Sequence, residues 1–430
     1  MSKIAKSALQ VLVFVAFFPY PAITQFGSAT GVQLYEILAV IIVCLTLPKL
    51  VRAKSTLAFL ILMSPVLMSL GAPAFLGGGG DVDLAIRVVL MLLPSLSILP
   101  AGSTLMRHVR TEWLVTPVSV AICIHAFVGV WQYRVFAQGA FPLLPLFRNP
   151  SFSDLRDIST TYALYTTRPF GLFPEPSAMA AAVGPWILFL LWYGLRPEGR
   201  GRTKALVGAG AGTLLILLSQ SIYAVFLLPC AFLILLLHRR ASLRRVSTLE
   251  LLAWGLSALG VFLFFPILVT GRLGFAANDS TQGRLESLIN GVGQPFKSVV
   301  ALLLGIGPGQ TAAVFSKQGA GVTAIYSIVV SEFTEGGLIA LVAVILVWRM
   351  SFPPRSPGYR HVIFFAWFAG IAFTTSYVSL APIWLFLAMM LDLEFDSESS
   401  ARDPEFGLGR SRTTFDLFGE SSKDRRPIEH

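Results

Sequence analysis

Residues 166–182 read TTRPFGLFPEPSAMAAA. An arginine, a glutamate and three prolines stand directly in front of an apolar run, and two of these side chains can do chemistry. Arg168 carries a guanidinium that keeps its proton and suits an anionic partner. It also suits a purely structural place at a membrane interface, with its stem among apolar groups and its head in water. Glu175 offers a carboxylate. At the start of a helix the macrodipole favours it, and Pro174 and Pro176 fit a helix entry where backbone N–H groups are unpaired anyway. Beside a hydroxyl, the same carboxylate is a general base.

Other candidate groups are few. GIGPG at 305–309 is glycine-rich but lacks the Lys-Ser/Thr of a phosphate-binding P-loop and does not join a strand to a helix. Arg87 in DVDLAIRVVLMLLP falls inside an apolar run, where an arginine costs about 2.5 to 3.5 kcal/mol on insertion scales. Asp83, four residues earlier on the same helical face, is its expected partner; a contact to an anionic ligand is the alternative. His125 also lies inside an apolar run and is expected to be a packing residue with one satisfied hydrogen bond. Cys44, Cys123 and Cys230 fall in apolar runs without metal-like spacing, so neither a disulfide nor a metal site is expected, and no cofactor is implied.

The elements that carry these residues follow from composition. Of 430 residues, 55% are hydrophobic and 13% charged, against roughly 25% charged in soluble domains, and the mean hydropathy is +0.72. Apolar blocks recur at lengths that suit helices crossing about 30 Å of hydrocarbon, unlike the short alternating segments of a β-barrel. The expected fold is an all-α polytopic transmembrane bundle. Its spans are placed at 7–26, 31–48, 56–75, 84–103, 113–136, 174–195, 203–219, 221–238, 248–270, 324–348, 361–377 and 379–394. The N-terminal apolar run, with Lys3 and Lys6 before it, is taken as a retained first helix rather than a signal peptide. With twelve spans, both termini are expected in the cytoplasm. Residues 1–394 form the membrane domain, and 395–430, rich in Ser, Gly, Pro and both charge signs, are expected to be a disordered cytoplasmic tail.

This topology places 18 Lys and Arg residues on the cytoplasmic side and eight outside, setting aside Arg87 and the tail. The net charge of +10 is therefore explained by helix orientation, and nucleic-acid binding is not expected. The eight outward cations are Arg134, Arg148, Arg156, Arg168, Arg272, Arg284, Lys297 and Lys317. All sit in or beside two long periplasmic loops, about 137–173 and 271–323. Loops of that length are uncommon unless functional, and an anionic partner on the outer face would explain their basic character. Ordinary solvated loops also collect charge, and Asp154, Asp157, Asp279 and Glu286 lie in the same segments.

TTRPFGLFPEPSAMA resembles the Arg-x-x-Gly-x-Phe-x-x-Pro segment that leads into a transmembrane helix in the O-antigen ligase and polymerase superfamily, the Wzy-type membrane glycosyltransferases. Its Glu175-Pro176-Ser177 is similar to exopolysaccharide polymerases in that group. STQGRLESLINGVGQPFKSVVALLLGIGPGQ resembles the family's Ser-x-x-Arg, short helix and Gly-x-Gly, and SEFTEGGLIALVAVILVW its Glu-x-Gly entry to the next span. LLILLSQSIYAVFLL corresponds to a turn where the family usually has Ser-Arg, with Gln220 at the arginine position. The similarity covers about residues 160–350.

The resemblance implies a metal-independent enzyme of the bacterial inner membrane. It would join undecaprenyl-diphosphate-linked oligosaccharide repeats at the periplasmic face, for an exopolysaccharide or O-antigen. Donor and acceptor lipids, the bilayer, and chain-length-regulating and export proteins are the implied partners. Arg168 and Arg284 match the family's two loop arginines and would clamp the departing diphosphate, where bidentate guanidinium binding is apt. Glu175 would draw the proton from the incoming hydroxyl or orient it. Arg87, Tyr326 and Glu335 are further candidate contacts to substrate. The superfamily's ligases have a histidine about nine residues before the glutamate matched by Glu335; here that position is Tyr326, which favours a polymerase over a ligase. A flippase for the same lipid is the other alternative, although no internal repeat of the kind transporters show is evident.

Overall fold

The structure, a computed structural model, describes residues 3–19, 22–26, 30–50, 54–75, 81–106, 111–136, 138, 168–196, 200–221, 223–241, 280–317, 325, 327–351, 358–373 and 380–392. All of them lie in one compact unit, residues 1–393. The expected span at 248–270, Tyr326, most of the first long loop and the tail lie outside the described residues.

Among the described residues the architecture is helical apart from one short hairpin. The helices are α1 (Lys3–Ala16), α2 (Leu34–Leu50), α3 (Lys54–Met68), α4 (Ala72–Phe75), α5 (Val82–Met106), α6 (Glu112–Phe136) and α7 (Pro176–Leu195). They continue as α8 (Arg202–Leu218), α9 (Ala224–Ala241), α10 (Ser280–Gly293), α11 (Val299–Leu304), α12 (Thr311–Lys317), α13 (Ile328–Ser351), α14 (Gly358–Phe373) and α15 (Ala381–Asp392). Five segments among the described residues are long and apolar enough to cross a membrane: 54–71, 82–106, 112–136, 176–195 and 328–351. Shorter apolar helices occupy most of the other expected spans. Prolines inside α3, α5, α6, α7 and α9 are tolerated, as they are where neighbouring helices satisfy the freed backbone groups.

The first expected span is shorter than its apolar run. Helix α1 stops at Ala16, ahead of Pro19 and Pro21, and Ala22–Phe26 then pairs antiparallel with Thr30–Gln33. Proline has no N–H to continue a helix and disfavours helical geometry in the residue before it. The polar residues Thr24, Gln25, Thr30 and Gln33 set these strands apart from the apolar helix before them.

Helix α7 is the centre of the bundle and is buried on all sides. It packs against α8, α9, α14 and α15. Trp186 lies at its middle, fully buried, donating its indole N–H to the carbonyl of Pro382 at 3.0 Å and meeting the rings of Phe17, Phe189 and Phe386 edge-on. Tyr223, also fully buried, donates its hydroxyl to the carbonyl of Ala366 at 2.8 Å and so fixes the start of α9 against α14.

Small residues set the approach of α8. A Cβ at Gly208 would stand 2.7 Å from the Ser119 hydroxyl on α6, and one at Gly212 would stand 2.6 Å from Ile187 on α7. This small-xxx-small spacing lets backbones close in where no hydrophobic driving force separates lipid from protein. Gly210, between them, has open space around it. Gly208→Leu is therefore expected to lower the thermal unfolding midpoint of the detergent-solubilised protein, by an amount corresponding to about 1 to 3 kcal/mol of overpacking. Gly210→Leu should leave that midpoint unchanged.

Candidate functional site

The segment carrying Arg168 is a non-helical turn, and its backbone is satisfied by side chains from α6. Gln132 accepts through Oε1 from the N–H groups of Phe170 (3.0 Å) and Gly171 (2.9 Å), and its Nε2 donates to the carbonyl of Gly171 at 2.7 Å. Seven residues earlier on the same face, His125 accepts at Nδ1 from the Leu172 N–H at 3.1 Å. That contact requires an unprotonated Nδ1, so the proton sits on Nε2, which donates to the carbonyl of Phe17 at 2.8 Å. The ring also stacks between Phe18 and Phe173. His125 is thus a packing residue, as expected, but with both nitrogens engaged, joining the end of α1 to the turn.

Arg168 leaves this turn toward the far end of α8. Its Nε donates to the carbonyl of Ser219 at 2.9 Å and its Nη2 reaches the carbonyl of Gln220 at 3.4 Å. The last carbonyls of a helix carry partial negative charge, so a cation is favoured there. Gln220 itself has φ of +50°, which closes the turn between α8 and α9 in the left-handed region.

Glu175 precedes α7 in extended geometry, and its carbonyl accepts from the Met179 N–H at 3.0 Å. Its carboxylate does not cap the helix. Instead, Oε1 accepts the hydroxyl of Ser177, and the side chain is only 7% exposed. Its place at the helix start, which the macrodipole favours, is as expected.

The second cluster forms where α13 is broken. Gly337 has φ +64° and ψ −155°, and a Cβ there would stand 2.5 Å from the Leu303 carbonyl carbon and oxygen. Only glycine combines that conformation with that approach. Carbonyls released by the break are taken by the GIGPG loop: Ile306 N–H donates to Thr334 (2.9 Å) and Gly307 N–H to Glu335 (3.0 Å). The Glu335 carboxylate fastens the same loop, accepting from Gly309 N–H at 2.9 Å and from the Thr311 hydroxyl at 2.6 Å. Gln310 then pairs in both directions with the backbone of Asp81, at 2.8 and 3.0 Å, and Asp81 caps α5 through the Leu84 N–H. Helix α10 joins this cluster from outside, its Gly291 carbonyl accepting the Thr334 hydroxyl at 2.9 Å.

The remaining candidates divide clearly. Arg284 lies on α10, which packs on α13, but its side chain is outside the described groups, as is Tyr326. Arg87 is exposed on α5, and among the described residues neither it nor Asp83 forms an ion pair, so the expected pairing does not occur. The helix begins near Asp81, which puts Arg87 in its second turn, near enough to an end to reach water. Glu332, one turn before Glu335, borders an apolar groove between α3, α5, α13, α14 and α15, walled by Trp348, Trp367 and Trp384.

Sequence reasoning passed over two polar groups. Gln132 sits within a span and was informative for that reason alone, since an amide there needs partners. Glu36 in the first turn of α2 is buried, accepting from Gln33 N–H (3.0 Å), Ser95 hydroxyl (2.6 Å) and Tyr35 hydroxyl (3.4 Å). An acid in an apolar run was the available signal.

No family model matches the chain, and no curated protein or solved structure is found to be similar to it. Among the described residues no group of three or more His, Cys, Asp or Glu side chains is placed to hold a metal ion.

Replacing Gln132 with Leu removes the acceptor of two N–H groups and the donor to one carbonyl. Each buried group left unpaired costs about 1 to 3 kcal/mol. Gln132→Leu should lower the unfolding midpoint in detergent clearly, whereas Trp131→Leu, on the exposed face next to it, should not.

Proposed function

We propose that the protein is a membrane glycosyltransferase that joins polyprenyl-diphosphate-linked oligosaccharide repeats, the Arg168-to-Ser177 turn forming one wall of its site. The observation that carries the proposal is a guanidinium and a nearly buried carboxylate held on one non-helical turn, which His125 and Gln132 brace from beneath. Charge developing on a departing diphosphate is best stabilised by donors that are already fixed in place. Arg168, anchored along one edge to two carbonyls, has that character, and Arg284 is its proposed counterpart from the second long loop. Glu175 serves as the base toward the acceptor hydroxyl, with Ser177 orienting it. Arg87 and Tyr326 are secondary contacts to the carrier lipid. Glu335 acts by holding the 305–311 loop, so its effect on substrate is indirect. The inner membrane of a bacterium, with the long loops outside, is the location this chemistry requires.

A transporter of the same lipid is the second reading, favoured by the break in α13, because discontinuous helices are common at transporter binding sites. Chasing lipid-linked repeats after gene deletion separates the two. Single repeats gathering outside the membrane indicate a lost polymerase, and repeats gathering inside indicate a lost transporter.

With purified protein and a defined lipid-linked repeat, Arg168→Ala and Arg284→Ala should each slow chain growth about 10² to 10³-fold, the size of losing one transition-state donor. Expression and unfolding midpoint should hold for Arg284→Ala. Arg168→Lys keeps the charge but not the fork, and should restore the midpoint more fully than the rate. Near-normal rates in both alanine variants would remove these roles.

A further inference from the structure

Between Ser287 and Leu303 buried polar groups stand opposite an exposed row that is apolar except for Lys297 and Ser298. The side turned to the protein carries Ser287, Gly291 and Gln294, all buried, with the Gly291 carbonyl bonded to Thr334. The side turned away carries Ile289 (62% exposed), Phe296 (66%) and Val299 (74%), continued by Val292 and Leu303. A helix in water places these two classes the other way round, and soluble proteins rarely leave so large an apolar row uncovered. Lipid is the solvent that reverses the preference, because there the outward face must be apolar and the polar groups must find partners within the protein.

Continuity says what covers the row. At its end the backbone of Leu303 meets Gly337, and the next residue, Leu338, begins the exposed apolar face of α13 that runs through Val342, Ile345 and Trp348. At its middle Phe296 packs against Phe333 of the same helix. Lys297, exposed beside Phe296, is placed where its ammonium can reach a phosphate head group while its neighbours sit deeper.

We propose that residues 289–303 are an interfacial segment, embedded in the lipid leaflet at the end of the membrane where α13 begins, with Lys297 at head-group level. The second long loop is then not wholly in water. Part of it is immersed, which holds the 305–311 loop and the break in α13 at the membrane surface. The inference rests on the membrane character of the bundle and is independent of the glycosyltransferase chemistry.

The test uses full-length protein in which Cys44, Cys123 and Cys230 are replaced by Ala, carrying Phe296→Cys, Val299→Cys or Leu303→Cys with a nitroxide label. These positions are exposed, so labelling removes little packing; Val300→Cys replaces any that misfolds. In vesicles of neutral and anionic phospholipid, accessibility to oxygen, which concentrates in lipid, is compared with accessibility to a water-soluble nickel chelate. The ratio should exceed that of free label in buffer several-fold at all three sites, and increase in the same sense as at Val342→Cys. A ratio like that of the free label overturns the proposal by placing the row in water. Protection from both reagents overturns it as well, by placing another protein segment over the row.

Discussion

Backbone that departs from helical geometry in an apolar surrounding must find partners for its N–H and C=O groups, and two of the departures among the described residues show how this bundle supplies them. At the turn before α7 the partners are side chains, His125 and Gln132 from α6. At the break in α13 they are the N–H groups of a glycine loop, with Glu335 completing the attachment. Unpaired groups in such surroundings cost several kcal/mol each, so neither irregularity could persist without its brace. Arg168, Glu175 and Glu335 lie at these two irregular places, where side chains can be aimed in directions a regular helix does not offer, whereas Arg87 and Arg284 lie on regular helices.

The braces also explain why the irregular segments can be rigid. A guanidinium on an unsupported loop would have to be ordered each time a ligand arrives, and that entropy would reduce any stabilisation it gave. Arg168 is fixed at its backbone through Phe170 and Gly171 and at its tip through Ser219 and Gln220. Preorganisation of this kind is what electrostatic catalysis needs. Glu335 performs a comparable service for the loop that it fastens, which is why its carboxylate is best understood through the atoms it holds.

The helices were legible in the sequence because lipid imposes a length and an apolar composition on each, and those survive without knowledge of neighbours. Their ends were less legible: the first span was expected to run to residue 26, yet α1 stops at Ala16, ahead of Pro19. The pairing of 22–26 with 30–33 was not legible, because strands of five and four residues are too short to show a period, although Thr24, Gln25 and Gln33 make them more polar than the helix before them. The motif around Arg168 was recognisable from its prolines and charges, but the direction of the guanidinium depends on Ser219 and Gln220, about fifty residues away. The same holds for Gln132 and for the attachment of Glu335 to Gly309 and Thr311. Partners set by tertiary packing leave no periodic trace in either segment. Arg87 illustrates the reverse error, since spacing of four residues permitted a pair with Asp83 that the exposed surface of α5 does not form.

Helix α7 has no side left for lipid, and this bears on the order in which the protein is made. When residues 176–195 leave the ribosome, the helices that will cover them on two sides, α14 and α15, have not been synthesised. During that interval Trp186 has neither the Pro382 carbonyl nor the ring of Phe386 to meet. The newborn chain must therefore keep its central helix provisionally housed, by lipid or by a membrane chaperone, until the last two helices arrive and close the bundle around it.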